Sequence, residues 1–246
     1  MEYAVQRAPS ESGRLEGIAY DLWLPDEDAP SPAVVVLHGA GSQKENHADY
    51  ARVATSHGFV ALTFDNRGHG QSEGKLSPRT IADVQRLVHV LTERPEVDGR
   101  RVAARGSSMG GLLAIHAAAA TTDIAAVVAI CPATEELMLE DLRRVARGEP
   151  APPGSALETM RVDAPALAAW LEEHDVRDAV RRLGSKPLML VHARDDEVVP
   201  HTISEELYER ATEPKRILVL EDGHHRSAQH DTEVQGETLR WLARVM

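Results

Sequence analysis

The sequence predicts an α/β fold in which a mostly parallel central sheet is flanked by helices on both faces. Apolar runs of strand length, such as residues 33–37 and 59–64, alternate along the chain with segments of helical periodicity. These runs are apolar at nearly every position, as expected for strands that are buried on both faces. Glycine-rich or charged loops follow them, and the carboxyl ends of parallel strands are where such sheets place functional groups.

The elements follow in order along the chain. Alternation of apolar and polar residues predicts an antiparallel edge strand within residues 15–24. Apolar runs predict further strands at 33–37, 59–64, 101–105, 124–130, 186–193 and 216–220. Helical periodicity predicts helices at 47–56, 78–91, 109–120, 203–211 and 234–245.

One segment interrupts this alternation, between the strand that ends near Cys131 and the strand that starts near Pro187. It is charged, and helical patterns at 135–147 and 165–183 flank a proline- and glycine-rich stretch at 149–154. A chain of 246 residues is expected to form a single domain over residues 1–246, with an insertion at approximately 134–185.

Composition argues against several classes of partner. The formal net charge of −12 disfavours nucleic acid and anionic membranes, because both would require a basic surface. Cys131 is the single cysteine, so no internal disulfide can form. The first residues lack the apolar core of a secretion signal, and no apolar run reaches the length of a membrane span. We therefore expect a cytoplasmic protein that acts without nucleic acid or a membrane, and no pattern indicates its oligomeric state.

A G-x-S-x-G pattern at residues 106–110 lies between an apolar strand and an alanine-rich helix. A serine at such a sharp turn requires small residues two positions away on either side, and Gly106 and Gly110 meet this requirement. The following helix would direct the free N–H groups and the positive dipole end of its N-terminus toward whatever reacts on the serine. Ser108 is therefore the candidate nucleophile.

A nucleophile of this kind needs an acid and then a histidine, each placed after a later strand. Asp195 and Asp196 follow the strand predicted at 186–193, and His224 and His225 follow the strand predicted at 216–220. The strand at 33–37 ends in the loop His-Gly-Ala-Gly, whose glycines allow backbone N–H groups to approach a ligand closely. The position and composition of that loop are typical of an oxyanion hole.

Five motifs occur in the order found in the α/β-hydrolase family, which nearly the whole chain resembles. They are H-G-x-G at 38–41, D-x-R-G-x-G-x-S at 65–72, G-x-S-x-G at 106–110, D-x-x-V-P at 196–200 and a late histidine after a glycine. The resemblance implies the α/β-hydrolase fold, with a short helical lid over the active site formed by residues of approximately 134–185. The functional classes that the resemblance suggests are esterases, dienelactone hydrolases and the catalytic domain of prolyl oligopeptidases.

The resemblance also implies a role for each member of a catalytic triad. Ser108 is expected to be the nucleophile, His225 the general base and Asp196 the acid that orients the base. The place of the acid relative to the V-P pair in its motif favours Asp196 over Asp195. The length of the turn after the last strand favours His225 over His224.

The implied activity is a serine hydrolase that cleaves small to medium acyl esters through an acyl-enzyme on Ser108, with no metal ion and no cofactor. The oxyanion would be stabilised by the backbone N–H groups of Met109 and Ala40. A metal cluster in which His230 and Asp231 join His224 and His225 is disfavoured, because no i, i+4 pair with an acidic third ligand lies on a clear helix. Two alternatives remain open: a peptidase or acylaminoacyl hydrolase of the prolyl-oligopeptidase type, and a non-catalytic ligand-binding protein on the same fold.

Several other side chains are expected to be structural. Asp65 and Arg67 are expected to form a buried pair that shapes their loop, and His38 and His69 to orient backbone groups. Apolar residues of the insertion fall at helical spacing and are expected to dock onto the core, which would leave room only for short acyl groups. These residues are Leu137, Leu142, Val145, Leu167, Trp170, Leu171 and Val176.

Overall fold

A computed structural model describes residues 7–26 and 30–246, and within them eight strands form one sheet. The N-terminal residues 1–6, part of the stretch expected to lack a secretion signal, lie outside the described residues. The strands are β1 (Glu11–Leu15), β2 (Ile18–Trp23), β3 (Ser31–Leu37), β4 (Val60–Phe64), β5 (Val97–Ser107), β6 (Ala126–Ile130), β7 (Leu188–Ala193) and β8 (Lys215–Leu220). Their order across the sheet is β1-β2-β4-β3-β5-β6-β7-β8.

The helices alternate with these strands as the apolar pattern predicts. They are α1 (Ala48–Ser56), α2 (Arg79–Thr92), α3 (Met109–Ala119), α4 (Glu135–Ala146), α5 (Ala164–Glu173), α6 (Val176–Arg182), α7 (Thr202–Arg210), α8 (Ser227–His230) and α9 (Thr232–Val245). Within residues 7–26 and 30–246, no helix combines the length and the apolar character that crossing a membrane requires.

The sheet is antiparallel at one edge and parallel elsewhere. β2 pairs antiparallel with both β1 and β4, and each pairing from β4 through β3 and β5 to β8 is parallel. The antiparallel strand predicted within residues 15–24 is confirmed as β2, but the edge of the sheet is formed by β1, which the sequence pattern did not predict. Glu16 and Gly17 both have positive φ and turn the chain between two strands, as in the two-residue hairpins that match the twist of a sheet.

Alternate residues of the central strands face two separate apolar cores. In β3, Ala33, Val35 and Leu37 pack in a core that also contains buried residues of α2, α3 and α5. Val34 and Val36 pack in a second core with residues of α1 and α9. Because both faces of the strand are covered, the run carries apolar residues at every position, which confirms the mostly parallel sheet with helices on both faces.

The chain between β6 and β7, which we call the β6–β7 segment (residues 131–187), carries α4, α5 and α6. The predicted helix at 165–183 is two helices. α5 ends at Glu173, and the next residue, His174, has an extended backbone conformation. The carboxylate of Asp175 then accepts the backbone N–H of Arg177 at 2.7 Å. A side-chain acceptor at this position caps a new helix, so α6 starts immediately after the break.

A buried pair fastens the β6–β7 segment to α3. The imidazole Nε2 of His116 in α3 lies 2.6 Å from Oε1 of Glu135, the first residue of α4, and Oε2 of Glu135 accepts the backbone N–H of Val176 at 3.0 Å. The ring of Trp170 packs edge-on against His116 and stacks on His174, with centroids 4.9 and 4.2 Å apart. One carboxylate therefore joins α3, α4 and α6.

Candidate active site

Ser108 stands at the turn between β5 and α3, where its φ is 54°. A positive φ is uncommon and strained for a residue other than glycine, and it persists only where the surroundings impose it. A Cβ at Gly106 would lie 2.0 Å from the backbone oxygen of Gly110, and a Cβ at Gly110 would lie 2.2 Å from the backbone oxygen of Leu37. Only glycine fits at either position, so the two glycines permit the turn that presents Ser108.

Two candidate oxyanion donors lie on either side of this serine. Met109 is the first residue of α3, and the backbone N–H groups of the first turn of a helix have no partner within the helix. On the other side runs the loop 38–41, where a Cβ at Gly39 would lie 3.3 Å from the Cβ of Ser108. Ala40 follows in the same loop and lines the same cavities as Ser108.

His38 holds the loop in place, in agreement with its expected role of orienting backbone. Its Nε2 accepts the N–H of Asn66 at 2.9 Å, so the ring hydrogen is assigned to Nδ1, which lies 2.7 Å from the carbonyl oxygen of Gly39. Burial, with a smaller contribution from His69, lowers the pKa of His38 to about 3. The ring is therefore neutral near pH 7, and both of its nitrogens are used.

The predicted pair between Asp65 and Arg67 is wrong. Arg67 instead forms two hydrogen bonds with Asp83 of α2, at 2.7 and 2.9 Å. Asp65 accepts the backbone N–H groups of Lys44 at 2.7 Å and Gln71 at 2.8 Å. The carboxylate directly after β4 thus closes the turns around it, whereas the long arginine side chain reaches a helix that follows in the sequence.

The acid and the histidine meet because β7 and β8 are neighbouring parallel strands. Nδ1 of His225 lies 2.7 Å from Oδ2 of Asp196, and Oδ1 accepts the N–H groups of Val198 and Val199, each at 2.8 Å. Burial alone would raise the pKa of Asp196, but hydrogen bonds from His192, His225 and the two backbone groups hold it well below its ordinary value. The carboxylate is therefore ionised when it faces His225.

The other residue of each pair takes no part in this contact. The side chain of Asp195 is exposed and forms no hydrogen bond or ion pair with any residue that the structure describes. His224 is also exposed, and its Nδ1 accepts the backbone N–H of Arg226 at 3.3 Å. The structure thus brings together Asp196 and His225, and not Asp195 and His224.

Ser108 and His225 line the same cleft, which has a volume of about 630 Å³. Within the described part of the chain, no hydrogen bond joins the two side chains. Triad hydrogen bonds are often long or absent before substrate binds, so this geometry leaves both groups open to a ligand. We call this cavity the polar cleft, because its wall also carries Asn46, Glu197, Arg226, Gln229 and His230.

A second cavity of about 250 Å³ meets the polar cleft at Ser108. We call it the apolar pocket, because its wall is formed mainly by Met109, Leu137, Met138, Leu142, Leu157 and Met160. The expectation that docking would consume the apolar side chains of the insertion is only partly correct. Leu142 is buried as expected, whereas Leu137 is 46% exposed and faces this pocket.

Three potential metal ligands, Cys131, Asp196 and His225, have donor atoms within 4.8 Å of one another. Burial raises the pKa of the Cys131 thiol far above its ordinary value, which disfavours the thiolate that a metal would need. A metal ion would also have to displace N–H donors from Asp196. His230, the other histidine considered as a ligand, pairs with Asp49 at 2.8 Å.

Sequence reasoning assigned no role to His192, which lies fully buried at the end of β7 with its Nε2 3.2 Å from Oδ2 of Asp196. The one signal in the sequence is its spacing, four residues before the candidate acid. Ser107 is the neighbour of the candidate nucleophile and the alternative to it. Its buried hydroxyl lines the polar cleft without a partner among the described residues.

Comparison with known proteins places this chain in a family. Residues 28–182 match the family described as serine aminopeptidase, S33. The uncharacterized protein YfhR of Escherichia coli (strain K12) is 26% identical over 235 residues, which are 93% of this chain and 75% of the relative. The quorum-quenching protein AidA of Acinetobacter baumannii is 29% identical over 133 residues, which are 51% of this chain and 43% of the relative.

Solved structures share the fold. A soluble variant of monoglyceride lipase from Saccharomyces cerevisiae, in complex with a substrate analog, has a TM-score of 0.79 at 15% identity and covers 100% of this chain and 98% of its own. Est1E from Butyrivibrio proteoclasticus, with bound ferulic acid, has a TM-score of 0.75 at 20% identity and covers 96% of this chain and 100% of its own. At these identities the likeness shows the fold alone. The family match spans more than half of the chain, and the chain therefore belongs to the serine aminopeptidase S33 family of α/β-hydrolases.

Proposed function

We propose that this protein is a serine hydrolase that cleaves small to medium carboxylic esters through an acyl-enzyme on Ser108. The observation that carries the proposal is one arrangement: Ser108 stands at a strained turn beside a glycine-containing loop, in the same cleft as His225, which the ionised Asp196 holds. These are the groups that activation of a serine hydroxyl requires.

In this mechanism His225 moves the protons. Its Nδ1 is bonded to Asp196, which leaves Nε2 to accept the hydroxyl proton while Oγ of Ser108 attacks the ester carbonyl carbon. The carbonyl oxygen becomes an oxyanion against the N–H groups of Met109 and Ala40. When the tetrahedral intermediate collapses, Nε2 donates that proton to the departing alcohol. Water then attacks the acyl-enzyme in the same way and releases the acid.

The position of His225 determines which part of the ester lies in which cavity. Nε2 must reach the oxygen of the leaving alcohol, and His225 contributes to the wall of the polar cleft and not to that of the apolar pocket. The alcohol therefore occupies the polar cleft, and the acyl group occupies the apolar pocket. An apolar cavity of about 150 Å³ is large enough to hold benzene, so a volume of about 250 Å³ suits a short to medium acyl chain.

We further propose that the whole chain is one domain and that residues of approximately 134–185 act as its lid. Leu137, Met138 and Leu142 belong to α4 and line the apolar pocket, with the half-exposed Leu137 on its outer wall, so this segment sets the length of the acyl group. The polar side chains Asn46, Arg226 and Gln229 favour a small-molecule alcohol that can form hydrogen bonds.

A second candidate is hydrolysis of aminoacyl amides, which the description of the family as serine aminopeptidases favours. Such a substrate carries an ammonium group next to its acyl carbon, and that group needs an anionic partner. Asp141 of α4 lies in the wall of the apolar pocket and would supply the carboxylate.

One experiment separates these functions. A fluorophosphonate probe should label the wild-type protein at Ser108, and a panel of p-nitrophenyl esters, acyl thioesters and aminoacyl amides should show the fastest turnover with esters. Aminoacyl amides that are cleaved faster than esters would establish the peptidase. A folded protein that neither reacts with the probe nor turns over any substrate would be a ligand-binding protein.

A further inference from the structure

Asp196 contacts two histidines. Besides the bond to His225, its Oδ2 lies 3.2 Å from Nε2 of His192, whose side chain is 0% exposed, as is that of Asp196. The same Nε2 lies 2.9 Å from the carbonyl oxygen of Val199. Since a carbonyl and an ionised carboxylate are both acceptors, Nε2 of His192 must carry a hydrogen and donate it.

Ser204 stabilises the same placement of that hydrogen. Its hydroxyl is fully buried on α7, and Oγ is 2.7 Å from Nδ1 of His192. When the hydroxyl donates to Nδ1, the neutral ring can carry its hydrogen only on Nε2, the atom that faces Asp196. Without the hydroxyl, the ring could shift its hydrogen to Nδ1 and turn a lone pair toward the carboxylate.

Four N–H groups surround the carboxylate of Asp196. Oδ1 accepts those of Val198 and Val199, and Oδ2 accepts that of His225. The N–H of His192 is shared between the carbonyl oxygen of Val199 at 2.9 Å and Oδ2 at 3.2 Å. A carboxylate has about four lone-pair sites, so this one is held in a single orientation. The negative charge of Oδ2 is also shared between two imidazoles.

From this geometry we propose that His192, oriented by Ser204, is a positioning residue that fixes Asp196 for its contact with His225. The inference rests on the proposed function, because it concerns the acid of the same triad. Removal of the His192 donor loosens the hold on Oδ2 and leaves more of its charge to the imidazolium form of His225. The base then stays protonated to a higher pH, and fewer encounters have the geometry for proton transfer.

The kinetic test uses four variants. His192→Leu removes both ring nitrogens, His192→Gln keeps an N–H donor at similar reach, Ser204→Ala removes the orienting hydroxyl, and His57→Leu is a control at an exposed histidine. In His192→Leu we expect kcat on the best ester to fall on the order of tenfold with KM unchanged, well short of the roughly 10⁴-fold cost of losing a triad aspartate. The acid limb of the kcat profile should move to higher pH. Ser204→Ala should shift both quantities in the same direction by less, and His192→Gln should recover most of the loss.

A second readout needs no substrate. The proton between Nδ1 of His225 and Asp196 gives a downfield ¹H NMR signal, whose titration midpoint should rise in His192→Leu and Ser204→Ala and return in His192→Gln. Folded His192→Leu and Ser204→Ala proteins with the wild-type kcat and midpoint would overturn the proposal, as would a change confined to KM. If His192→Leu does not fold, Ser204→Ala decides. A midpoint that moves in a protein that hydrolyses no ester would refute the proposed function and leave the positioning role intact.

Discussion

Nδ1 of His225 lies 2.7 Å from Oδ2 of Asp196, while the adjacent Asp195 is exposed and contacts neither late histidine. Accordingly, Asp196→Asn should lower kcat/KM by about 10⁴-fold, because it removes the group that orients the base. His225→Ala should lower it by about 10⁶-fold, because it removes the base itself. The matched variants His224→Ala and Asp195→Asn should lose less than about tenfold. Ester hydrolysis by the four variants, with circular dichroism to confirm folding, makes the comparison. A reversal within either pair would move that triad member by one residue.

The turn between β5 and α3, which holds Ser108, allows a second comparison of paired variants. Ser108→Ala should abolish labelling by a fluorophosphonate and lower kcat/KM to the residual level of the oxyanion hole, about 10³- to 10⁴-fold above the reaction in water. Ser107→Ala removes a neighbouring hydroxyl that is buried and unpartnered within the described chain, so it should retain labelling. Mass spectrometry of the labelled peptide reports the modified residue. Label found on Ser107, or turnover retained by Ser108→Ala, would contradict the assignment.

Acyl-chain preference tests the orientation of the substrate. Wild-type rates should be highest for short to medium acyl groups and fall toward long chains, without a jump above the micellar concentration. Leu137→Ala should move the optimum to longer chains, because it opens the outer wall of the apolar pocket. Val90→Ala, at an exposed apolar residue of α2, serves as the control. Rates that climb steadily with chain length in the wild-type protein would disprove the proposed role of the apolar pocket.

The free energy of unfolding should decrease as the pH falls below neutrality, because His38 is buried in its neutral form. Burial lowers its pKa in the folded protein from an ordinary value of 6.5 to about 3. Between these values the unfolded chain binds a proton that the folded protein excludes, so the free energy of unfolding decreases as the pH falls. Urea unfolding at pH 7 and pH 4.5 measures this slope. His38→Asn should be less stable at pH 7 but lose less on acidification, whereas the exposed His57→Asn should keep the wild-type slope.

Local patterns in the sequence predict much of the fold. The apolar run at 33–37 predicts a strand buried on both faces, and β3 (Ser31–Leu37) contributes to both cores. Gly106 and Gly110 predict a turn around Ser108 with no room for side chains. A Cβ at Gly106 or Gly110 would indeed lie 2.0 Å or 2.2 Å from a backbone oxygen. The break between α5 and α6 was also visible in principle, because Asp175 is a good helix cap directly before a helical run.

The remaining features depend on contacts between distant parts of the chain. Arg67 pairs with Asp83, not with Asp65, because the packing of α2 against the sheet decides which carboxylate is within reach. The same holds for His192, whose relation to Ser204 exists only once α7 has docked beside β7. No period or motif encodes such a pair, since each residue alone looks like an ordinary buried polar group.

The β6–β7 segment leaves and rejoins the sheet at neighbouring strands, whose pairing runs from Val127 beside Leu188 to Ile130 beside Val191. Protein engineering can treat the segment as a cassette that crosses over the sheet, because it leaves at the carboxyl end of β6 and returns at the amino end of the parallel strand β7. A cassette taken from another hydrolase should exchange substrate range while the chemistry stays with the recipient. The graft must keep a glutamate at position 135, because the carboxylate that binds His116 is the cassette's buried attachment to α3.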